Sequence, residues 1–216
     1  MPSRYLGIIP ARAGSKRILG KNTRLLGGSP LISYTITAAH DSRLLDTFVV
    51  STECDKIATL AHSYGAPVLH RPAKLAEDNA TSGEVAAHAL EAMEADGQEF
   101  AAVVLLHPTS PFRTAKHIDG AIEKLESDDW YESLASTELL PKKTHDNVLV
   151  PGYDWFSDCE IMNGAIYIIE AERLKETREH AWADITYVMP HQDSIDIDDE
   201  LDWRIAEMIL ASKTRH

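Results

Sequence analysis

Along this chain, short apolar runs alternate with stretches in which apolar residues recur at helical spacing. YLGIIP at 5–10, TFVVST at 47–52 and APVLH at 66–70 predict strands, and FAAVVLL at 100–106, the most hydrophobic run, predicts a central one. ESLASTEL, GAIYIIE and ITYVMP predict three more. Between them, Ser29 reads as an N-cap with Pro30 at the first helical position, and Ile32, Ile36 and Ala39 follow on one face. DKIATLAHSYG predicts a helix closed by Gly65, and Thr81-x-x-Glu84 has the form of a capping box ahead of VAAHALEAMEA. TAKHIDGAIEKLES predicts another helix, and DDELDWRIAEMILASK a last one with Leu201, Ile205, Met208 and Ile209 on one face. Residues 139–162 lose this periodicity around Pro141, Pro151 and Gly152, and read as a hairpin or short arm that leaves the main sheet. The pattern as a whole predicts one α/β domain over 1–216 with a mostly parallel sheet flanked by helices. Ligands of such sheets bind beyond the carboxyl ends of the strands.

Charge and composition narrow the function. With 34 Asp and Glu against 21 Lys and Arg, the formal charge is −13, which argues against wrapping nucleic acid or an anionic membrane surface. Small anionic ligands remain open, because they feel charges only within about 8–10 Å. Cys54 and Cys159 have neither metal-type spacing nor a disulfide framework, so a reducing cytoplasm is expected. The ten histidines form no His-x-His or His-x-x-x-His pair, which disfavours a histidine zinc site. Neither a charged leader with a long apolar run nor a segment of ~18 apolar residues is visible, so neither export nor membrane spanning is expected.

Against this acidic background, IIPARAGSKRILGKN (8–22) places Arg12, Lys16, Arg17 and Lys21 around Gly14 and Gly20, directly after the first strand. Glycine-spaced cations at a strand end suit phosphate, since backbone N–H groups and cations both close on its oxygens. A P-loop needs four residues between its glycines and a Lys-Ser/Thr pair; here five intervene, and Asn22 stands at the hydroxyl position. The Gly-x-Gly-x-x-Gly triplet of a dinucleotide loop is missing too. What remains is a long basic loop arching over a nucleoside triphosphate. Near the other end, SIDID alternates strictly, which predicts Ser194, Asp196 and Asp198 on one face and Ile195 and Ile197 toward the core. Two carboxylates ~7 Å apart along one face suit a shared hard cation. Helix capping is the competing reading for Asp198 and the accepted one for Asp199.

The basic loop resembles the opening of the acylneuraminate cytidylyltransferase (CMP-sialic acid synthetase) family, which includes CMP-legionaminate and CMP-pseudaminate synthetases. FVVST, RPAKLAEDNATS (71–82), LLHPTSPFRT (105–114), NGAIYI (163–168) and HQDSIDIDDELD (191–202) agree in order, so the resemblance covers nearly the whole chain and fails in the 139–162 arm. It implies a Rossmann-like nucleotide-diphospho-sugar transferase fold and a homodimer. It also implies transfer of CMP from CTP to the anomeric 2-hydroxyl of a nonulosonic acid, with magnesium and release of pyrophosphate. By the same resemblance, Arg12, Ser15, Lys16 and Lys21 bind the triphosphate, Asn22 contacts the nucleotide, and Asp196 and Asp198 hold the metal. Arg12, Lys21 and Asp198 then carry the catalysis, and Arg17 is left to face water.

Other positions have two readings each. Arg71, Ala80 and Ser82 match positions facing cytosine, whose amine an Ala80 carbonyl can accept; Arg71 as a surface ion pair and Ser82 as a helix start are the alternatives. His107 replaces a family glutamine and is either a sugar contact, with a ring able to carry charge, or a structural hydrogen-bonder. Arg113 and Thr114 position the loop and cap the next helix. Lys143, in Pro141-Lys142-Lys143-Thr144, matches a lysine that reaches the active site, whereas residues 145–162 hold no Arg or Lys and Ile161 stands where an arginine is frequent. Tyr153, Trp155 and Phe156 are read as a dimer contact or as packing of the arm on its own domain. That leaves a related acid (legionaminate, pseudaminate or, last, the eight-carbon KDO) as the alternative substrate. A catalytically silent nucleotide-binding module is the alternative from another class.

Overall fold

In the computed structural model, which describes residues 4–127, 130–140, 159–180 and 183–213, the apolar runs assemble into a seven-stranded sheet. The first half comprises β1 (Tyr5–Pro10), β2 (Leu25–Leu26), β3 (Ser29–Pro30), α1 (Leu31–Asp41), β4 (Thr47–Thr52), α2 (Asp55–Ser63), β5 (Val68–His70) and α3 (Ser82–Ala95). Then come β6 (Ala102–Leu106), α4 (Ala115–Glu126), β7 (Ser133–Leu140), β8 (Cys159–Glu170), α5 (Ala171–Thr177), β9 (Ile185–Met189) and α6 (Glu200–Lys213). The sheet order is β5-β4-β1-β6-β8-β7-β9, in which β8 runs antiparallel to both neighbours and the remaining pairs are parallel.

Both faces of the sheet are covered, which is why its strands read as continuous apolar runs rather than alternating ones. Tyr5, Ile9, Val50, Val104 and Leu106 pack with Ile36 of α1, Ile57 of α2 and Ile122 of α4. Leu6, Ile8, Val49, Val103 and Leu105 pack on the other face with Leu90 of α3 and Leu174 of α5. Burial of each such aliphatic side chain contributes about 1.5–3 kcal/mol, enough to override local propensity. A third, smaller cluster joins Ile18 of the basic loop, Leu26, Leu31, Phe112, Ile197 and Trp203 of α6.

Three expectations are corrected. Ser29 and Pro30 do not open the helix but form a small hairpin with Leu25 and Leu26, turned by Gly27 (φ 56) and Gly28 (φ 92). Glycine alone takes those angles cheaply, so the turn claims Ser29 before it can cap. In α6, Trp203 and Ala206 are buried with Ile209 and Leu210 against them, whereas Leu201, Ile205 and Met208 are exposed. The indole carries the largest apolar area on the helix and selects its own stripe. The β7–β8 ladder also continues through Leu139↔Glu160 to Leu140↔Cys159, so the two ends of the expected arm belong to the sheet. Residues 141–158, with Lys143, Tyr153, Trp155 and Phe156, lie outside the described residues. Among the described residues no helix is long and apolar enough to cross a membrane.

The N-terminus of α3 has the expected capping box: Glu84 N–H donates to Thr81 Oγ1 at 3.1 Å and Thr81 N–H to Glu84 Oε2 at 2.8 Å. Its first turn is crossed by the backbone after α5, where Arg178 adopts φ 53. A Cβ on Gly83 would stand 2.1 Å from the Arg178 carbonyl oxygen, so only glycine admits this crossing. Gly83→Ala is therefore expected to cost about 1–3 kcal/mol. A thermal melt should show the drop at ~2–4 °C per kcal/mol; an unchanged melt would mean the two segments do not approach this closely.

Candidate active site

The carboxyl ends of β1, β4, β5 and β6 gather the basic loop, Glu53, Arg71 and His107 along one edge of the sheet. The basic loop is held from below by Asn22, which is buried and donates through Nδ2 to the Arg12 carbonyl at 2.9 Å. Gly20 takes φ 62 and starts a single 3-10 turn, Lys21–Thr23, that carries Lys21 inward. Lys21 is 9% exposed, and its Nζ donates to the Ile197 carbonyl at 2.6 Å and lies 3.5 Å from Asp198 Oδ1. Arg17, expected to face water, instead pairs through Nη1 with Asp198 Oδ2 at 2.9 Å. The two ends of the chain thus meet at one place: basic loop and carboxylate segment share Ile18 and Ile197 in the third cluster and touch through Lys21.

The remaining loop cations pair with a different carboxylate, Asp78 of the segment after β5. Arg12 Nη1 and Lys16 Nζ both pair with Asp78, at 3.1 and 2.5 Å. These two cations hold the Asp78 carboxyl below its ordinary value, Lys16 first and Arg12 second. Ser15 is half-buried and turns its N–H back to the Ala13 carbonyl at 2.9 Å. Arg71 is neither in a surface pair nor open: its Nε and Nη2 donate to Glu53 Oε2 at 3.1 and 2.9 Å, with 3% of the side chain exposed. Ala80 is half-buried just ahead of the capping box of α3.

SIDID departs from strict alternation. Ser194 closes the 3-10 turn His191–Asp193 with φ −97 and ψ 8, so it turns inward and accepts from Asn163 Nδ2 at 2.9 Å. Only from Ile195 onward does the segment run as expected, with Ile197 fully buried, Asp198 exposed, and Asp196 accessible at its surface but crowded by its neighbours. Asp199 takes the helix cap, accepting from Leu201 and Asp202 N–H, while Asp202 returns the bond to Asp198 and Asp199 N–H. That leaves the Asp198 carboxylate free of the capping role. Loss of water by packing, with the like charges of Asp198 and Asp202, raises Asp196 above its ordinary carboxyl value against the opposing pull of Thr109 and Lys21. Among the described residues no group of three or more His, Cys, Asp and Glu is placed to hold a metal. The donor set is this mutually repelling pair, which fits a hard cation that keeps most of its shell as water and phosphate oxygen.

The Asn-Gly of NGAIYI sits at an irregularity where Ala135 pairs with Tyr167 but Thr137 with Met162. Asn163 is buried there and satisfies it, accepting from Ser136 Oγ and Ala165 N–H and donating to the Thr137 carbonyl. Gly164 takes φ 72, and its carbonyl meets His107 Nδ1 at 2.9 Å. A carbonyl only accepts, so Nδ1 carries the proton and Nε2, 3.2 Å from Ser82 Oγ, accepts from that hydroxyl. Burial lowers the pKa of His107 against the opposing pull of the Gly164 carbonyl, and the nearby Arg113 charge acts in the same sense as burial, so the neutral ring is favoured. Arg113 is buried beneath it, donating to the His107 and Ala165 carbonyls and Thr35 Oγ1; burial pulls its pKa down to about 9. As expected, Arg113 positions the loop, and Thr114 caps α4. Asn163, Gly164, Tyr167, Asp196, Asp202 and Ile205 line a cavity of ≈390 Å³.

Four positions escaped the sequence reading. Asp78 and Asp202 lie within the quoted stretches RPAKLAEDNATS and HQDSIDIDDELD but carry no role of their own there, and the one signal for Glu53 is its place directly after a strand. His180 stacks edge-on with Tyr167 at 5.1 Å and with His107 at 6.3 Å, brought there by the Arg178 turn.

Comparison with known proteins gives this arrangement a family. The cytidylyltransferase family model matches residues 6–185. The chain is 34% identical over 232 residues to the N-acylneuraminate cytidylyltransferase of Escherichia coli, with all of this chain covering 54% of that protein. It is 36% identical over 229 residues to the CMP-N,N'-diacetyllegionaminic acid synthase of Legionella pneumophila, covering 96% of both. It therefore spans about half the length of the first relative and nearly all of the second. A CMP:2-keto-3-deoxy-manno-octonic acid synthetase complexed with CTP superposes with a TM-score of 0.78 at 13% identity, over 98% of this chain and 100% of that one. The 4-diphosphocytidyl-2C-methyl-D-erythritol synthase of Anaerococcus prevotii gives 0.69 at 14%, over 97% and 96%. At such identities the two structures establish the shared fold. The chain belongs to the cytidylyltransferase family.

The neutral histidines make stability depend on pH. Burial, aided by His107, pulls the pKa of His180 down to about 4 from an ordinary 6.5. Below 6.5 the unfolded chain binds protons that the native state refuses, so stability falls from pH 6.5 toward 4 and the loss is complete below the folded value. Melting between pH 7 and 5 should drop in the wild type, and His180→Asn should flatten the slope by the equivalent of about 1 kcal/mol, ~2–4 °C. Parallel slopes would mean that His180 is not buried as a neutral ring.

Proposed function

We propose that the chain is a cytidylyltransferase that transfers CMP from CTP to the anomeric 2-hydroxyl of a sialic-acid-like nonulosonic acid and releases pyrophosphate. The observation carrying this reading is the approach of Lys21 to Asp198, which sets the cationic loop and the carboxylate pair around one site. The family and its named relatives support the chemistry. The sugar hydroxyl attacks the α-phosphorus in line and gives up its proton to solvent; one P–O bond forms, the bond to the bridging oxygen breaks, and its electron pair leaves with pyrophosphate. Arg12, Ser15, Lys16 and Lys21 hold the triphosphate, and their fixed charge meets the charge that grows on the outgoing oxygens. Asn22 keeps the loop closed on the nucleotide through the Arg12 carbonyl. Arg71, Ala80 and Ser82 face the cytosine side.

Asp196 and Asp198 would hold magnesium, which when bound supplies Lewis-acid charge that polarises the α-phosphate and lowers the pKa of the attacking hydroxyl. The sugar occupies the cavity beside Tyr167, within reach of the His107–Ser82 pair. That cavity has no Arg or Lys in its described lining, so the acid's carboxylate would draw its counter-charge from the metal or from Lys143, which the resemblance assigns to the active site and which lies outside the described residues. The working state proposed is a cytoplasmic homodimer. A second reading, activation of a legionaminate-type acid, is favoured by the Legionella relative, which this chain matches across 96% of its length.

Pyrophosphate release with CTP and a panel of sialic, legionaminic, pseudaminic and KDO acids tests both readings, with ATP and UTP as controls. Turnover is expected with CTP, magnesium and a nine-carbon acid; none with any acid would overturn the proposal. Asp198→Asn should cut kcat by about 100-fold or more. Its melting should stay near wild type, since exposed pairs such as its own with Arg17 contribute about 0–1 kcal/mol. Full turnover of this variant at saturating magnesium would remove Asp198 from the mechanism.

A further inference from the structure

In the sheet order, β4 lies between β1 and β5, so the loops leaving these three strands are neighbours at the carboxyl edge. The β1 loop carries the candidate phosphate cations, and the β5 loop carries Arg71 and leads to Ala80 and Ser82. Between them stands Glu53, the first residue after β4. Its two oxygens are divided between the two neighbours: Oε1 accepts the Ala13 N–H at 2.8 Å, and Oε2 accepts Arg71 Nε and Nη2 at 3.1 and 2.9 Å. Ala13 follows Arg12, whose carbonyl Asn22 already holds. The pair is largely out of solvent, with 18% of the Glu53 side chain and 3% of the Arg71 side chain exposed. Burial alone would raise the Glu53 carboxyl, but the Ala13 N–H and Arg71 outweigh it and hold it below its ordinary value.

We propose that Glu53 is a positioning residue that fixes the phosphate-gripping loop and the Arg71 loop in one frame for the nucleotide. The inference rests on the CTP reading above and adds to it a residue that touches neither substrate. No neutral side chain of the same shape can replace it. A glutamine has one accepting and one donating end, so it can accept from Ala13 or from Arg71 but must present N–H to the other. The two loops would then settle independently, and misplacement of substrate-gripping groups by a fraction of an ångström is costly in rate and affinity. The effect should fall mainly on the nucleotide, because the sugar cavity is lined from β7, β8 and the 194–205 stretch, none of it on the two loops that Glu53 joins.

The test is steady-state kinetics of the full chain, varying CTP and the acid separately, with melting curves alongside. Glu53→Gln should raise KM for CTP about tenfold or more while KM for the acid stays within twofold. Glu53→Asp keeps the charge but shortens the reach by one methylene, and should show the same one-sided rise; it also serves if the glutamine variant does not fold. A lowered melting temperature with both KM values unchanged would make Glu53 a structural staple only and overturn the proposal. Equal rises in both KM values would overturn it too. If the wild type turns over no CTP, the function reading falls and this inference with it; if the wild type does and both variants match it, this inference alone fails.

Discussion

Everything at the site depends on a small apolar clasp between two segments about 180 residues apart in the chain. Ile18 from the basic loop and Ile197 from between the two aspartates are both buried against Trp203 and Phe112. The clasp holds opposite charges at a set distance without asking the charges to do the holding. That division matters, because exposed ion pairs contribute about 0–1 kcal/mol and are screened by salt, whereas burial of the isoleucines and the indole is not screened. Lys21 is buried beside the clasp, and its bond to the Ile197 carbonyl ties a side chain of one segment to the backbone of the other.

A second line of constraint runs through the sheet. The irregularity in β8 turns the Gly164 carbonyl toward His107, which fixes the tautomer of that ring and points its free nitrogen at Ser82 on α3. Arg113 fastens the same strand end from beneath, spanning the carbonyls of His107 and Ala165. A polar chain thus crosses from the centre of the sheet to the N-terminus of a helix, in which Arg113 Nε alone is buried without a hydrogen-bond partner among the described residues.

What could be read in the sequence follows physical scale. The strands and the α/β class were legible because burial on both faces leaves continuous apolar runs that no other element explains. That the basic loop and the aspartate segment meet was legible, because opposite charges at two strand ends of one sheet suit each other, whereas the pairing of Arg12 and Lys16 with Asp78 was not. The hairpin that removes Ser29 from its cap was not, because two glycines permit it without announcing it. Nor was the stripe of α6, where Trp203 outweighs Leu201, Ile205 and Met208 for reasons of area rather than period. Ser194 turned inward because Asn163, thirty-one positions earlier, needed a partner. Glu53 and Asp78 show the general case: a lone carboxylate acquires meaning only from what the fold sets beside it.

The pairing of Asp78 with Arg12 and Lys16, and of Asp198 with Arg17 and Lys21, has a further consequence. These basic side chains already carry a tethered counterion. Any phosphate that settles among them evicts a carboxylate rather than filling bare positive charge, so entry is an exchange between anions and its dependence on ionic strength is shallower than the number of cations suggests. The same tethers can step back as the phosphate departs, which lowers the barrier to letting go.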